Sequence, residues 1–182
     1  MNVQVPALGA TYDPSFTATG ASVIKGAEKG TVTLVPNAKQ VVLSVNSGGN
    51  KIGNETFQVR LIPKPEIVAL ANGRPVNEKQ GMPAPGPRSI TIKAMPDESF
   101  KNFLPKDARY RVFKWEAFLV RGRRAVAQET FSGETANLTS FAAQAKEGDR
   151  ISIEVKEVKR LNFRNATEDV NIGTKIINIP LI

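Results

Sequence analysis

The chain contains no cysteine and no histidine, and each absence restricts the chemistry it can perform. Without cysteine there is no disulfide, no thiolate nucleophile and no zinc–thiolate site. Without histidine, the commonest general base and the commonest transition-metal ligand are missing, so a serine–histidine triad is impossible. No catalytic machinery is visible in the sequence, and we predict a protein that is not an enzyme, with no catalytic residue, no cofactor and no metal site.

Long apolar runs are also missing. No stretch approaches the ~20 apolar residues that a membrane-spanning helix needs, and the opening Met-Asn-Val-Gln-Val-Pro lacks the basic start and apolar run of a signal peptide. We expect a cytoplasmic protein or a piece of something longer. The formal net charge of +8 is spread along the chain. Such a surface is compatible with nucleic acid, anionic lipid or acidic protein partners, and also with plain solvation.

Short alternating segments separated by turn residues predict a strand-rich first domain at residues 1–64. Close spacing of strands without a helix is typical of a small β-sandwich. The loop Ser47-Gly48-Gly49-Asn50 predicts a hairpin, because glycine readily supplies the positive φ of a tight reversal. The candidate strands are Asn2–Val5, Ser15–Thr19, Gly30–Val35, Gln40–Val45 and Thr56–Ile62.

The end of this domain has the most distinctive local pattern. Phe57, Val59 and Leu61 alternate with polar residues, which predicts one half-buried face of a strand. The segment Pro63-Lys64-Pro65 follows directly. Neither proline can donate to a sheet, and each favours an extended conformation in the residue before it. We therefore predict an interdomain linker formed by Pro63, Lys64 and Pro65, with a second domain at residues 65–182.

The second domain is predicted to be mostly β with two short helices. Residues 72–87 are expected to form an irregular loop, since Met82–Pro87 contains three prolines and a glycine. Its candidate strands are Glu66–Ala71, Ser89–Ala94, Tyr110–Val120, Ala125–Phe131, Arg150–Val158 and Thr174–Ile179.

Apolar residues at helical spacing predict the two helices. In Pro96–Leu104, the apolar residues Phe100, Phe103 and Leu104 recur on one side. The second helix is Leu138–Lys146. Its predicted stripe consists of Leu138, Phe141, Ala142 and Ala145, and Gly148 follows as a C-terminal cap.

A basic hairpin is the strongest charged feature. In Tyr110–Val120, alternation places Phe113, Trp115, Ala117 and Leu119 on the core face. Nucleic-acid binding would need exposed aromatic rings among the basic residues, and these rings are predicted to be buried. A solvated hairpin, a protein contact and a nucleic-acid contact therefore stay open, with the nucleic-acid contact the least favoured. The candidate partner-binding residues are Arg109, Arg111, Arg121, Arg123 and Arg124.

Carboxylates come close together at two places in the sequence. Asp97 and Glu98 suit the positive start of a helix, and Glu147 and Asp149 suit a turn after one. A catalytic carboxylate pair needs an environment that raises a pKa, and none is visible in the sequence.

Several segments together resemble a known family. They are the opening Met-Asn-Val, Lys51-Ile52-Gly53, Phe57-Gln-Val-Arg60, Ile62-Pro-Lys-Pro65, Tyr110-Arg-Val-Phe-Lys-Trp-Glu-Ala-Phe118, and Gly148-Asp-Arg-Ile-Ser-Ile-Glu154. This pattern is similar to the C-terminal periplasmic region of the GldM/PorM family, the core subunits of the type IX secretion and gliding-motility machine. The resemblance covers the whole chain.

The resemblance implies a fold, a location and partners. It implies an immunoglobulin-like β-sandwich followed by a mostly-β domain, within a homodimeric inner-membrane protein whose membrane helix lies outside this chain. It implies a periplasmic subunit that connects a proton-driven GldL/PorL-type motor to a ring of GldK/PorK- and GldN/PorN-type proteins, with no nucleic-acid partner. The alternatives from the residues alone are a carbohydrate- or nucleic-acid-binding β-sandwich module and a carboxylate-dependent hydrolase.

Overall fold

The computed structural model describes all residues 1–182, which form two compact units, Met1–Leu61 and Ile62–Ile182. Strands account for 54% of the chain and three short helices for 9%. The predicted fold class, mainly β with two tandem domains, is therefore confirmed.

The first unit contains two small antiparallel sheets. One has the strand order β1-β4-β5 and the other pairs β2 with β3. Val32 on one sheet and Val41, Leu43 and Val45 on the other are buried, so both sheets contribute to the core. The elements are a 3-10 helix at Pro6–Thr11, β1 (Pro14–Thr19), β2 (Ala21–Lys25), β3 (Val32–Pro36), β4 (Gln40–Ser47) and β5 (Asn50–Gln58).

Two predictions for this unit are wrong and one is confirmed. Asn2–Val5 is not a strand, since Asn2 makes only an isolated bridge to Thr31. The final strand begins at Asn50 and ends at Gln58, and Leu61 is 95% exposed, so the proposed buried face does not reach it. The chain has no neighbouring strand to pair with beyond Val59. The tight Gly48-Gly49 reversal is confirmed, with φ of 55° and 82°.

The second unit is built from two larger sheets. One has the order β10-β9-β12-β13 with β14 also paired to β12, and the other has the order β11-β8-β6-β7. The elements are β6 (Glu66–Ala71), β7 (Arg74–Pro75), β8 (Ser89–Met95), α1 (Glu98–Phe103), β9 (Arg109–Arg121), β10 (Arg124–Ser132), β11 (Thr135–Asn137), α2 (Thr139–Ala142), β12 (Arg150–Leu161), β13 (Thr167–Asp169) and β14 (Lys175–Pro180).

A single apolar core holds this unit together. Ile90 and Ile92 from β8, Trp115 and Leu119 from β9, and Phe141 from α2 all belong to one buried cluster. The ring of Trp115 lies 4.7 Å from that of Phe131, and its Nε1 donates to the carbonyl oxygen of Gly133 at 2.9 Å. The indole therefore fills the core without leaving its polar atom unsatisfied.

The alternation of β9 breaks at Phe113. Val112 and Trp115 are both buried, while Phe113 is 40% exposed, so its predicted core position is wrong. Trp115 pairs with Val155 and Val112 pairs with Val158, so each strand accommodates two residues between the same two pairs. At this irregularity the alternation between core-facing and solvent-facing side chains shifts by one residue in both strands. The face toward the core therefore stays apolar on either side of it.

Both helices are shorter than predicted. The carboxylate of Asp97 accepts the N–H of Phe100 at 3.0 Å and caps α1, but the helix ends at Phe103, whose side chain is 82% exposed. Of the predicted apolar residues only Phe100 is buried there. Helix α2 has four residues, and Leu138 and Phe141 still enter the core. None of the helices combines the length and the apolar character needed to cross a membrane.

The proline-rich segment 72–87 is largely irregular, as predicted, and runs beside β14. The N–H of Met82 donates to the carbonyl oxygen of Pro180 at 2.8 Å. The N–H of Ile182 donates to the carbonyl oxygen of Met82 at 2.9 Å. Glu78 Oε2 accepts the backbone N–H of Asn178 at 3.1 Å. The loop therefore covers the C-terminal part of β14, at one edge of the five-stranded sheet.

Replacing Trp115 with alanine should lower the free energy of unfolding by about 3–5 kcal/mol, because truncating a fully buried indole leaves a cavity and frees the Gly133 carbonyl. Urea denaturation measures the change. The exposed Phe103 supplies the control, since Phe103→Ala should alter the free energy by no more than about 0.5 kcal/mol. Equal effects of the two substitutions would contradict the assignment of the core.

Candidate interaction surfaces

The five predicted arginines lie in two separate groups. Arg109 and Arg111 stand at the start of β9, whereas Arg121 ends it and Arg123 and Arg124 continue into the hairpin turn and β10. Arg111 and Arg121 lie ten positions apart on β9, which corresponds to about 30 Å along a strand. The structure therefore divides the predicted basic hairpin into two surfaces at opposite ends of one strand.

Arg121 is held in a two-pronged ion pair. Its Nε and Nη2 each lie 2.8 Å from a carboxylate oxygen of Asp149, and Nη2 also donates to the carbonyl oxygen of Gln144 at 3.0 Å. Asp149 is only 3% exposed and also accepts the backbone N–H of Lys146 at 2.9 Å. Arg121 therefore fastens the segment after α2 to the hairpin.

The ion pair changes the acidity of both partners. The hydrogen bond from Arg121 is the main cause that lowers the pKa of the Asp149 carboxyl, and the N–H of Lys146 acts in the same direction. The carboxylate in turn raises the pKa of Arg121. Both groups stay charged at neutral pH. Their pairing is not visible in the sequence, because they lie 28 positions apart.

The free cations at this end of the sheet are Arg123 and Arg124. Both are exposed and neither makes an ion pair. Arg150 on β12 is also exposed and unpaired, and it lies opposite Val120 in the ladder with β9. Sequence reasoning missed Arg150, because only the pairing of β12 with β9 brings it next to the hairpin.

At the other end of β9, Arg109 and Arg160 are bonded to internal partners. The guanidinium of Arg109 donates to the carbonyl oxygens of Asn162 at 2.6 Å and Lys106 at 2.9 Å. The buried Arg160 pairs with Asp107 at 3.2 Å and with Glu168. A hydrogen bond from the Asn162 side chain is the largest cause that lowers the pKa of Glu168. These contacts organise the loop after β12.

Arg111 is the member of this group that stays exposed and unpaired. It stands directly opposite Lys159 in the ladder between β9 and β12. Lys159 is itself paired with Glu157 at 2.8 Å, and its Nζ lies 5.2 Å from the ring centre of Phe113. Of the five predicted arginines, Arg111, Arg123 and Arg124 thus have a free guanidinium group.

The predicted linker residues Pro63, Lys64 and Pro65 fall within the second compact unit. Pro65 is buried, and the carbonyl oxygen of Pro63 accepts the hydroxyl of Tyr110 at 3.0 Å. Partial burial is the main cause that raises the pKa of Tyr110, so its hydroxyl remains a donor. The prolines are thereby attached to the strand that runs through the core.

The candidate carboxylates have local structural roles. Asp97 caps α1, and a hydrogen bond from the Ser99 hydroxyl is the main cause that lowers its pKa. Asp149 is committed to Arg121. Nowhere do three or more acidic side chains come together in a way that could hold a metal ion.

Replacing Asp149 with asparagine should remove part of the acid sensitivity of folding. The carboxyl has a lower pKa when folded than its ordinary 3.8. It therefore stabilises the fold above that pH, and this contribution is lost as the pH falls through the lower folded value. We expect the wild-type melting temperature to fall more steeply than that of Asp149→Asn between about pH 5 and about pH 2, as followed by circular dichroism.

At neutral pH the wild type should be the more stable of the two. The control is Asp13→Asn, because Asp13 is exposed and makes no ion pair. Parallel pH profiles for the wild type and Asp149→Asn would show that the ion pair does not contribute to stability.

Comparison with known proteins gives matches over both units. No curated protein matches the chain. The model of the GldM third domain matches residues 1–60, and the model of the GldM C-terminal domain matches residues 63–181. Members of this family are inner-membrane-anchored periplasmic proteins and structural components of the type IX secretion and gliding-motility machinery. The two matches lie in tandem along the whole sequence, so the chain belongs to the GldM family and spans its third and C-terminal domains.

Proposed function

We propose that this chain is a periplasmic structural and force-transmitting part of the type IX secretion system, linking an inner-membrane proton-driven motor to the outer-membrane-associated ring. The observation that carries the proposal is the tandem match of two GldM domain models to residues 1–60 and 63–181. Two packed β units without a metal cluster or histidine suit a mechanical role. Strand ladders and buried cores resist deformation because many contacts must break together.

The proposal assigns a domain to each side of the proline pair, 1–64 and 65–182. Pro63, Lys64 and Pro65 form the linker in this proposal. The bond from Tyr110 to Pro63 and the burial of Pro65 support a stiff entry into the second domain, directly before β6. Each proline also has a fixed φ, which limits bending of the backbone.

In this proposal the chain works as part of a homodimer. The GldL/PorL-type subunit contacts a part of the protein that precedes this chain, and the GldN/PorN- and GldK/PorK-type ring proteins contact the C-terminal domain. We propose the basic hairpin as the ring contact, with Arg123 and Arg124 as its contact residues and Arg121 holding that surface in place. Arg109 and Arg111 belong to a separate candidate contact at the other end of β9. Three unpaired guanidinium groups favour an acidic protein surface.

Binding of the matching GldN/PorN-type ring protein to this chain tests the proposed function. Variants of the hairpin test its role as the contact. The wild-type chain should bind the ring protein, and Arg123→Glu with Arg124→Glu should weaken binding about tenfold or more, because two attractions become repulsions. Surface plasmon resonance at two salt concentrations measures the change. The matched control is Lys79→Glu with Lys101→Glu, which gives the same change of charge at exposed, unpaired lysines.

The two possible failures of this experiment are distinct. Absence of wild-type binding to either ring protein would contradict the proposed function. Binding that survives the arginine reversals and the control equally would reject the hairpin and leave the function in place.

Removing the Tyr110 hydroxyl should loosen the linker. A hydrogen bond of this kind contributes about 1 kcal/mol, so Tyr110→Phe should speed proteolytic cleavage near residues 60–65 about fivefold. Tyr12 gives a matched control, because its hydroxyl donates to the carbonyl oxygen of Val3 at 3.0 Å in the first unit. Tyr12→Phe should leave cleavage at the linker unchanged, and equal cleavage of both variants would reject the stiffening role of Tyr110.

A further inference from the structure

The outer side of β10 is an edge of the five-stranded sheet, and its hydrogen-bonding pattern can be read from one contact. The N–H of Gly133 donates to the carbonyl oxygen of Phe113 at 2.8 Å, which makes these residues a hydrogen-bonded pair. Such pairs alternate with non-bonded pairs along an antiparallel ladder, and the register continues through Phe131 opposite Trp115. The backbone groups that point outward, away from β9, therefore belong to Gln128, Thr130 and Ser132.

The opposite edge of the sheet supports this reading. The N–H of Leu181 bonds to the carbonyl oxygen of Asp149, so the same alternation predicts outward groups at Pro180 and Asn178. The structure has the Pro180 carbonyl bonded to Met82 and the Asn178 N–H bonded to Glu78. Segment 72–87 thus bonds to outward groups of β14 at Pro180 and Asn178.

No such cover protects β10. The outward backbone groups of Gln128, Thr130 and Ser132 have no hydrogen-bond partner in the protein, and all three residues are exposed. Proteins usually protect an edge with proline, lysine, a bulge or a covering loop. The stretch 125–132 contains no proline and no lysine, and its bulge lies between Ala125 and Ala127, before the three outward residues.

The charges beside this edge indicate what occupies it. Arg123 and Arg124 immediately precede the open stretch and have no acidic partner. Two copies of the chain could pair their β10 edges antiparallel, with Thr130, the middle outward residue, at the centre. In that arrangement Arg123 and Arg124 would lie beyond the paired segment. A different chain, extended along β10 and carrying carboxylates where it passes the arginines, would use both the backbone groups and the charge.

We propose that the open edge of β10 binds an extended segment of a partner protein by strand addition, with acidic residues of that segment on Arg123 and Arg124. The added strand pairs through Gln128, Thr130 and Ser132. Antiparallel addition places the acidic residues at the C-terminal end of the segment. This inference rests on the proposed function, since the partner is a protein of the ring.

Amide exchange measured by NMR tests the geometry directly. In the free chain, the amides of Gln128, Thr130 and Ser132 should exchange faster than those of Glu129 and Phe131, which bond to β9. Saturating GldN/PorN-type ring protein should slow the three outward amides about tenfold or more, because each gains a backbone partner. Protection that depends on the concentration of the chain alone would assign the edge to a second copy and overturn the proposal.

A proline substitution tests the same edge by affinity. Thr130→Pro removes one outward N–H and should weaken binding of the ring protein about tenfold, whereas Thr130→Val keeps the N–H and should bind like the wild type. The matched control is Thr56→Pro on β5. The N–H of Val59 donates to the carbonyl oxygen of Lys39. By the same alternation, the backbone N–H of Thr56 points away from β4.

The outcomes separate this inference from the proposed function. If the ring protein binds but Thr130→Pro has no effect and the outward amides stay unprotected, strand addition is overturned and the proposed function stands. If the wild type does not bind either ring protein, the proposed function fails and this inference fails with it. Should Thr130→Pro not fold, Gln128→Pro and the exchange of the wild-type amides decide the question.

Discussion

The second unit depends on the pairing of β9 with β12, its two longest strands, of 13 and 12 residues. Every other strand of the larger sheet is attached to one of these two. A slip by one residue would turn Trp115 and Ile153 out of the core, because the side chains of a strand alternate between faces. Any shift in the alternation of one strand therefore has to be matched by the other strand. Around Phe113 both strands shift together.

That shared shift explains why some positions could be predicted from sequence and others could not. Trp115, Ala117 and Leu119 follow strict alternation and are buried as expected. Phe113 follows the same pattern in the sequence and is exposed, because the alternation of both strands is interrupted between the pairs Trp115–Val155 and Val112–Val158. The pattern of apolar residues within β9 contains no information about its register against β12.

Local signals with a direct backbone cause were more reliable. Gly48-Gly49 predicted the reversal between β4 and β5, and the prolines of segment 72–87 predicted irregular structure. Apolar spacing overestimates the length of the helices, since Phe103 and Leu104 share the helical spacing of Phe100 and are nevertheless exposed. Asp97 fixes where α1 begins, but the chain leaves the helix after Phe103, before a second buried turn is completed.

The basic residues show the same distinction between composition and placement. Counting charges identified a cluster from Arg109 to Arg124, yet the structure commits Arg109 and Arg121 to internal partners that lie far away in sequence. What remains available is a small set of guanidinium groups at the end of the sheet where β9, β10 and β12 meet. The pairing of a buried carboxylate with Arg121 gives that end a fixed shape.

The loop that covers β14 also limits how copies of this protein can accumulate. A sheet that is open at both edges could pair edge to edge with further copies, β10 of one molecule against β14 of the next. Such a heterologous contact does not close and can continue into a filament. Because Glu78 and Met82 already bond to Asn178 and Pro180 of β14, that repeating contact is hindered at these two positions. This cover over part of β14 therefore disfavours edge-to-edge growth into fibres.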